Sequence, residues 1–212
     1  MDNLLTLIFP PKCIICGNYG SLFCSGCLSS CRKLRRNYTL KLKKPHPSLD
    51  VFCYFVYERS IRECIKQSKY SRKQFAVLKE VSKVVIEAML RRGIGFKADY
   101  ILPIPLSLAK KRYRGFNQAE VIAQVVSKAY AIPNQNSILI RQKNTTAQHR
   151  LNKQERLENM RGAFGVIPNV TGKTFLLVDD ICTTGATLTE AAQTLYRAGA
   201  KKVEAFTLSK RL

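Results

Sequence analysis

Acidic residues are scarce in this sequence. Its 212 residues include 14 Asp and Glu against 36 Lys and Arg, which gives a formal net charge of +22. Because a surplus of this size creates a long-range positive field, we expect an anionic partner. The alternative is an organism whose proteins are basic throughout, in which case the charge says nothing about function. Since 46% of the residues are hydrophobic, the chain is expected to fold, and a disordered basic tail is excluded.

Long hydrophobic runs are also missing from the sequence. The apolar stretch 4–9 ends at Pro10 and is too short to cross a bilayer. Asp2 stands where a signal peptide normally carries a basic residue, and no cleavage site of small residues follows. We therefore expect no export signal and no transmembrane segment. The expected location is the cytoplasm, with peripheral attachment to the inner face of the cell membrane as a further option.

Cysteines, by contrast, are concentrated near the N-terminus. Cys13 and Cys16 form one Cys-x-x-Cys pair, and Cys24 and Cys27 form a second. Two such pairs can surround a tetrahedral ion, and four thiolates suit Zn²⁺. Because the stretch has few apolar residues, the metal would supply its folding energy. Disulfides are the alternative, and the lack of an export signal argues against them.

Three other cysteines have simpler interpretations. Cys31 follows Cys27 by one helical turn, so it is either a substitute ligand or a spare thiol. Cys53 lies in an apolar, strand-like stretch, and Cys64 shares a helical face with Ile61. We expect Cys53 and Cys64 to be small residues of the core.

Strand and helix patterns alternate over most of the chain, which predicts a mainly parallel α/β sheet flanked by helices. The predicted strands are 51–57, 99–105, 137–140, 163–167, 173–178 and 202–208, and the predicted helices are 76–92, the segment capped by Asn117, and 187–198. Basic residues without acids at 32–44, followed by Pro45 and Pro47, predict a linker at about 45–50. We predict two units, a cysteine module with its basic linker (1–45) and the α/β domain (46–212).

The most informative motif lies at 175–187. Four apolar residues precede Asp179 and Asp180, and the turn 183–187 (Thr-Thr-Gly-Ala-Thr) then opens a helix. Open α/β sheets bind ligands at the carboxyl ends of their strands. A small hydroxylated turn at a helix N-terminus offers amides and hydroxyls to a phosphate, and an acid pair accepts hydrogen bonds from two sugar hydroxyls. The motif therefore predicts a sugar phosphate, and the missing Gly-Lys-Thr/Ser excludes a Walker A loop.

Residues 175–187 resemble the phosphoribosyl-pyrophosphate (PRPP) motif of type I phosphoribosyltransferases. The four-cysteine module ahead of the motif narrows the resemblance to the ComF family of competence-related proteins. Further blocks similar to that family stand at 69–70, 103–106, 114–118 and 146–164. The resemblance covers nearly the whole chain. It implies a type I phosphoribosyltransferase-like fold, a zinc-ribbon-like module and a role in natural transformation, the uptake of DNA as a single strand.

The resemblance also implies roles for individual residues. Asp179 and Asp180 would hold the ribose hydroxyls of PRPP, which binds together with Mg²⁺. The 5′-phosphate would lie against Thr183, Thr184, Gly185, Ala186 and Thr187. The pyrophosphate loop would comprise Pro103, Ile104 and Pro105. A valine in place of Gly185 is expected to block the phosphate by adding bulk where it approaches.

Basic side chains have two alternative interpretations. They could hold the departing pyrophosphate, or they could bind nucleic acid together with neighbouring aromatic rings, as single-strand-binding surfaces do. The residues concerned are Lys69, Arg112, Arg114 and Arg150. The candidate catalytic residues are Asp179, Asp180, Arg112 and Arg114. Ordinary solvated helix faces would explain the same basic residues without any ligand.

Three hypotheses of function follow. The first is a ComF-like protein that handles single-stranded DNA and binds PRPP or a related sugar phosphate, with a DNA-uptake helicase or an inner-membrane channel as its protein partner. The second is an active phosphoribosyltransferase that transfers from PRPP to an unidentified base or amine. The third is a regulator that binds nucleic acid and senses PRPP without turning it over. We favour the first, because no motif for a particular acceptor is evident.

Overall fold

The computed structural model describes residues 10–34, 37–68, 75–143, 153–167 and 170–212. Its strands are β1 (Tyr38–Leu40), β2 (Leu49–Val56), β3 (Tyr100–Pro103), β4 (Leu139–Arg141), β5 (Phe164–Val166), β6 (Thr174–Cys182) and β7 (Lys202–Lys210). Its helices are α1 (Ser25–Ser29), α2 (Arg59–Gln67), α3 (Phe75–Arg91), α4 (Leu108–Arg114), α5 (Gln118–Tyr130), α6 (Lys153–Met160) and α7 (Ala186–Arg197). Lys69 and Arg150, two of the predicted nucleic-acid residues, lie outside the described residues.

The main sheet has five strands in the order β1-β2-β7-β6-β3. The strands β2, β7, β6 and β3 run parallel to one another, and β1 pairs with β2 in the antiparallel sense. Strands β4 and β5 form a separate antiparallel pair. The predicted mainly parallel α/β architecture is therefore confirmed.

Helices cover both faces of the main sheet, because successive side chains of a strand point to opposite faces. On β6, Leu176 and Val178 join the core that contains residues of α3 and α5. Phe175 and Leu177 join the other core, against α7. The strongly apolar strand predicted at 173–178 is thus buried on both faces, as expected for a central strand of a parallel sheet.

The ends of two helices follow from local chemistry. Helix α5 begins after Asn117, whose side-chain oxygen accepts a hydrogen bond from the backbone N–H of Ala119 at 3.1 Å. Helix α7 ends before Gly199, which has a φ of 94°. Both ends lie where the sequence predicts them. No helix in the described part of the chain is long and apolar enough to span a bilayer.

Strand β1 is the main difference from the sequence prediction. It lies inside the basic segment 32–44 and forms an edge strand, with Tyr38 opposite Val51. Strand β2 begins at Leu49, so the predicted linker at 45–50 is shorter than expected. The first predicted unit therefore contributes a strand to the sheet of the second. The division of the chain at residues 45 and 46 remains a proposal.

Strand β6 is longer than predicted. It continues through Asp179 and Asp180 to Cys182, although acids are poor strand formers. Its pairing with β7 explains the extension, because the register runs on to Cys182 opposite Lys210. The acid pair thus belongs to the last residues of a paired strand and is held by the sheet.

Candidate functional site

Four cysteines form a compact cluster before the sheet. The sulfur atoms of Cys13, Cys16, Cys24 and Cys27 all lie within 4.8 Å of one another, and those of Cys16 and Cys24 are 3.5 Å apart. A tetrahedral zinc ion with Zn–S bonds of about 2.3 Å places its sulfur ligands about 3.8 Å apart. The cluster has the donor atoms and the size that such an ion requires.

Backbone amides stabilise negative charge on this cluster. The N–H of Cys24 donates to Sγ of Cys13, and the N–H of Cys27 donates to Sγ of Cys24, both at 3.4 Å. Burial raises the pKa of Cys13, but hydrogen bonds from the backbone of Cys24, Cys16 and Ile15 outweigh it and bring the pKa down to about 6. Burial, followed by the thiols of Cys24 and Cys16, raises the pKa of Cys27. Four thiolates at this distance repel one another, and a bound cation would relieve the repulsion.

Cys31 does not belong to the cluster. Its thiol donates to the carbonyl of Cys27 at 3.2 Å, and its side chain is buried in the core beside Phe23. Burial raises its pKa, which disfavours the thiolate that a metal needs. Cys53 and Cys64 are buried as well, as the sequence predicts. The same core contains Ile61 and Ile65 of α2, so the cysteine module packs directly against the α/β domain.

A cleft of about 200 Å³ lies at the carboxyl ends of β3 and β6. These strands are parallel neighbours, with Pro103 opposite Val178. The loop after β3 and the acid pair of β6 therefore lie at the same end of the strands. The predicted residues that line the cleft are Ile104, Pro105, Arg114, Asp179, Asp180, Thr183, Gly185, Ala186 and Thr187. Three others do not line it. Pro103 is the last residue of β3, Thr184 lies in the bend, and Arg112 is exposed on α4.

The bend after β6 has backbone amides available for a ligand. Within the described parts of the chain, no hydrogen-bond acceptor is found for the amides of Thr183, Thr184 and Gly185. The amide of Ala186 makes a long bond of 3.4 Å to Oγ1 of Thr184. Unpaired amides at the start of a helix form an anion-binding site. The carboxylates of Asp179 and Asp180 next to the bend accept hydrogen bonds, so the site offers donors and acceptors side by side.

Two side chains that were not predicted to belong to the cleft form hydrogen bonds with the loop after β3. Nδ2 of Asn117 donates to the carbonyl of Ile104 at 3.0 Å, and Nη1 of Arg141 donates to the carbonyl of Pro105 at 3.4 Å. Asn117 was predicted only as a helix cap. Arg141 belongs to a basic stretch of the sequence, but nothing in that stretch singles it out. The contacts depend on α5 and β4 reaching the same loop.

The cleft also contains cationic side chains. Arg141, Arg114 and Lys110 line it together with the two acids. Nη1 of Arg114 donates to Oε1 of Gln118 at 3.2 Å, which holds the guanidinium beside the first residue of α5. Burial lowers the pKa of Arg141, while the Asp179 carboxylate acts in the opposite direction. An arginine stays protonated at neutral pH, so these groups can face a strongly anionic ligand.

Cys182 lines the same cleft but lacks the character of a nucleophile. Its side chain is buried, and burial raises the pKa of its thiol. The protonated thiol is a weak nucleophile, because the thiolate is the reactive form. Cys182 is therefore a small residue that fills space beside the cleft.

Gly185 is also needed for a reason that the sequence does not indicate. Its φ is 84°, and a Cβ atom there would meet Cδ1 of Leu40 at 2.6 Å and Cδ2 at 2.7 Å. The first added atom would therefore meet Leu40 of β1. The expectation that a valine here blocks the phosphate stays a prediction. Leu40 thus packs strand β1 directly behind the bend.

Replacing Gly185 by alanine is expected to destabilise the fold. The left-handed conformation costs about 1–2 kcal/mol for a residue with a Cβ, and the overlap with Leu40 adds to this. Gly172→Ala is the matched control, because Gly172 has a φ of 72° but nothing within 4 Å of its Cβ position. Urea unfolding should show a larger loss for Gly185→Ala, partly recovered in Gly185→Ala/Leu40→Ala. Strictly additive effects of Gly185→Ala and Leu40→Ala would contradict the contact.

Comparison with known proteins defines the class. The family Phosphoribosyl transferase domain matches residues 61–212 of this chain. The match covers most of the main sheet and the whole cleft. The chain therefore belongs to the phosphoribosyltransferase family, in agreement with the fold that the sequence predicts.

Curated relatives define the type of protein within that class. DNA utilization protein YhgH of Escherichia coli K12 is 29% identical over 205 residues, which are 95% of this chain and 84% of that protein. Competence protein F of Haemophilus influenzae is 33% identical over 115 residues, covering 53% of this chain and 50% of that protein. Competence protein ComFC of Streptococcus pneumoniae is 29% identical over 154 residues, covering 73% and 65%. These relatives confirm the resemblance to the ComF family.

Solved structures are more distant. The glutamine PRPP amidotransferase of B. subtilis matches with 20% identity and a TM-score of 0.43, over 63% of this chain and 26% of that chain. The purine phosphoribosyltransferase of Pyrococcus horikoshii Ot3 matches with 17% identity and a TM-score of 0.38, over 63% of this chain and 73% of that chain.

Proposed function

We propose that the chain binds PRPP or a related sugar phosphate in the cleft and handles single-stranded DNA in natural transformation. The observation that carries the first part is the bend after β6. Its amides at residues 183–185 have no acceptor among the described residues, and two carboxylates precede it on the same strand. A ribose 5-phosphate needs both kinds of group, because its phosphate accepts hydrogen bonds from amides and its hydroxyls donate to carboxylates.

Each part of the cleft has a role in this proposal. Asp179 and Asp180 accept hydrogen bonds from the ribose hydroxyls. The segment 183–187 donates to the 5′-phosphate. The loop 103–105 borders the pyrophosphate, with Arg114 and the two other cations of the cleft facing its charge. Mg²⁺ bound to the pyrophosphate oxygens would neutralise that group.

The cysteine cluster is proposed to hold a structural zinc ion. The sulfur positions and the backbone bonds to Cys13 and Cys24 support this role. All four positions have a cysteine, as in closed structural sites, and a catalytic zinc would need an open position. The ion stabilises the module that packs against α2.

Nucleic-acid binding is supported by charge and by the names of the relatives. One relative is named for DNA utilization and two are named for competence. Helix α4 has Arg112 and Arg114 beside Tyr113, whose side chain is 78% exposed. Cations with an exposed ring are typical of single-strand-binding surfaces. Lys69 and Arg150 are proposed as further contacts.

An active phosphoribosyltransferase is the second candidate. The family match and the three cations in the cleft favour it, because a leaving pyrophosphate must be neutralised. Pyrophosphate released from PRPP in the presence of some base or amine would establish it. A PRPP-sensing regulator would instead show a PRPP-dependent change of DNA affinity, with an equal reciprocal change of PRPP affinity.

The proposal is tested by titration of the purified chain. Calorimetry with PRPP and Mg²⁺ measures the first part, and fluorescence anisotropy with labelled oligothymidylate at several salt concentrations measures the second. We expect saturable PRPP binding and a DNA affinity that falls steeply with salt, because bound phosphates release counterions. Absence of PRPP binding would contradict the first part, and absence of DNA binding at low salt would contradict the second.

Changing Arg112 and Arg114 together to alanine is expected to lower the salt dependence of DNA binding. Each phosphate contact on a single strand contributes about 0.7 to the slope of log affinity against log salt, so two lost contacts lower it by about 1.4. The same titrations measure the slope. An unchanged slope would place the DNA contacts elsewhere on the protein.

A further inference from the structure

A second and larger cavity lies beside the cleft. This groove has a volume of about 560 Å³ and is enclosed by the connection between β1 and β2, by α6 and the residue after its end, and by α7. We call it the α7 groove. Its volume is within the range of about 300–1,000 Å³ that ligand sites occupy. Neither Arg112 nor Arg114, the two described residues predicted from sequence to bind nucleic acid, lines it.

Cations from three separate parts of the sequence meet in the α7 groove. Lys41, Lys43 and Lys44 come from the connection after β1, Arg161 follows α6, and Arg197 ends α7. Sequence alone could not show that these basic stretches converge. Their convergence produces a concave surface of one dominant charge, which concentrates the positive potential of a chain with a net charge of +22.

Within the part of the chain that the structure describes, most of these cations have no acidic partner. Two carboxylates line the groove, and that of Glu190 is already used by Arg197 at 3.0 Å and by the backbone N–H of Gly162 at 2.9 Å. Among the described residues, no ion pair involves the three lysines 41, 43 and 44 or Arg161. The lysines and Arg161 are exposed. The groove therefore retains positive charge that an anionic ligand can neutralise.

The arrangement suits a repeating anion better than a single phosphate. A single phosphate is held by converging amides, as at the bend after β6. In the α7 groove the cations instead follow the walls, together with the polar side chains of Thr189 and Gln193. Lys, Arg, Thr and Gln are among the side chains that contact the phosphates of a nucleic-acid backbone. Leu157 of α6 also lines the groove, is 40% exposed and offers an apolar surface to a base.

We propose that the α7 groove binds the phosphodiester backbone of single-stranded DNA. This assignment rests on the proposed function of the chain, and it adds a surface that does not include Arg112 or Arg114. The groove and the sugar-phosphate cleft have one described lining residue in common, Ala186 in the first turn of α7. Two ligands can therefore bind on either side of that turn, and PRPP should not displace the part of the strand that the α7 groove holds.

The decisive variant changes Lys43, Lys44 and Arg161 together to alanine. Because these side chains are exposed, the fold should be retained. Three lost phosphate contacts are expected to lower the salt slope of oligothymidylate binding by about 2 and the affinity at low salt by at least about tenfold. PRPP affinity should remain unchanged. A second variant, Lys43→Arg/Lys44→Arg, keeps the charge and should keep the slope.

The matched control removes the same charge from the opposite face of the sheet. Lys79 and Lys83 on α3 and Lys128 on α5 are exposed, and their helices pack against the face that α7 does not cover. Changing these three to alanine lowers the net charge equally, so it reports the effect of the overall field alone. We expect an almost unchanged salt slope for this control.

Several results would overturn the assignment. Equal losses in the two triple variants would mean that only net charge matters. Oligothymidylate binding that saturating PRPP abolishes completely would place the strand in the cleft. Loss of binding to anionic phospholipid vesicles with unchanged oligothymidylate affinity would identify a membrane as the partner of the groove. A groove variant that binds oligothymidylate like the unmodified chain would refute the groove assignment alone. If the unmodified chain itself binds no oligothymidylate at low salt, the proposed DNA function fails.

Discussion

Serine in place of Cys13 or of Cys24 is expected to abolish zinc binding and to unfold the cysteine module. Structural zinc in such sites contributes an apparent binding free energy of about 10–16 kcal/mol, and the folding of the module depends on it. The sulfur atoms concerned lie within 4.8 Å of their partners, so a hydroxyl at either position removes a ligand and leaves an incomplete site. Metal content measured by mass spectrometry, with limited proteolysis of the N-terminal segment, tests this result.

Cys31→Ala is the control for this experiment. Its thiol donates to the carbonyl of Cys27 and is not part of the cluster, so the variant should keep a full complement of zinc. It should still lose some stability, because Cys31 is buried in the core. Since the module packs against Ile61 and Ile65, loss of the metal should also lower the unfolding temperature of the α/β domain. Full zinc content in both serine variants would refute the ligand set.

The double change Asp179→Asn/Asp180→Asn is expected to remove nearly all PRPP affinity. A hydrogen bond to a charged group contributes about 1.5–3 kcal/mol, so the loss of two such acceptors weakens binding by at least about 100-fold. Asparagine has almost the same shape as aspartate, and β6 should retain its pairing with β7. Calorimetry with PRPP and Mg²⁺ measures the effect.

Asp99→Asn provides the comparison for the acid pair. Asp99 precedes β3 and so lies at the opposite end of the strands from the cleft. There it accepts hydrogen bonds from the backbone N–H and from Oγ1 of Thr174. This variant removes one carboxylate from the same chain but leaves the cleft intact, so PRPP affinity should not change. DNA affinity should be largely retained in both aspartate variants, because the carboxylates that they remove are not proposed to contact the strand. PRPP binding that survives the double change would show that the acids do not hold the ribose.

Local chemistry made the core of the site predictable. The acid pair and the bend at 183–187 are contiguous, so their order along the chain determines which groups stand near one another. Four of the eight cysteines form two close pairs, and their spacing predicts the cluster in the same way. Asn117 as a cap of α5 also depends on a hydrogen bond to a residue two positions away. Each of these predictions needs only short-range geometry.

Other features needed the fold. The three-residue strand β1 has no periodicity of its own and exists through its pairing with β2. Arg141 reaches the loop after β3 from β4, across more than thirty residues of sequence. A side chain at Gly185 would meet Leu40, which is far away in sequence and which no local pattern indicates. Contacts of this kind cannot be inferred from spacing.

The sequence by itself determined the class of fold, the cysteine cluster and the order of acids and hydroxyls that suits a sugar phosphate. Those properties depend on residue types at fixed short intervals and on the alternation of strands and helices. The tertiary structure decided which basic residues share a surface, that Arg112 lies away from the cleft, and that β1 packs behind the bend. The physical reason is that strand order and register set the distances between remote segments, and hydrophobic burial across the whole sheet selects that order.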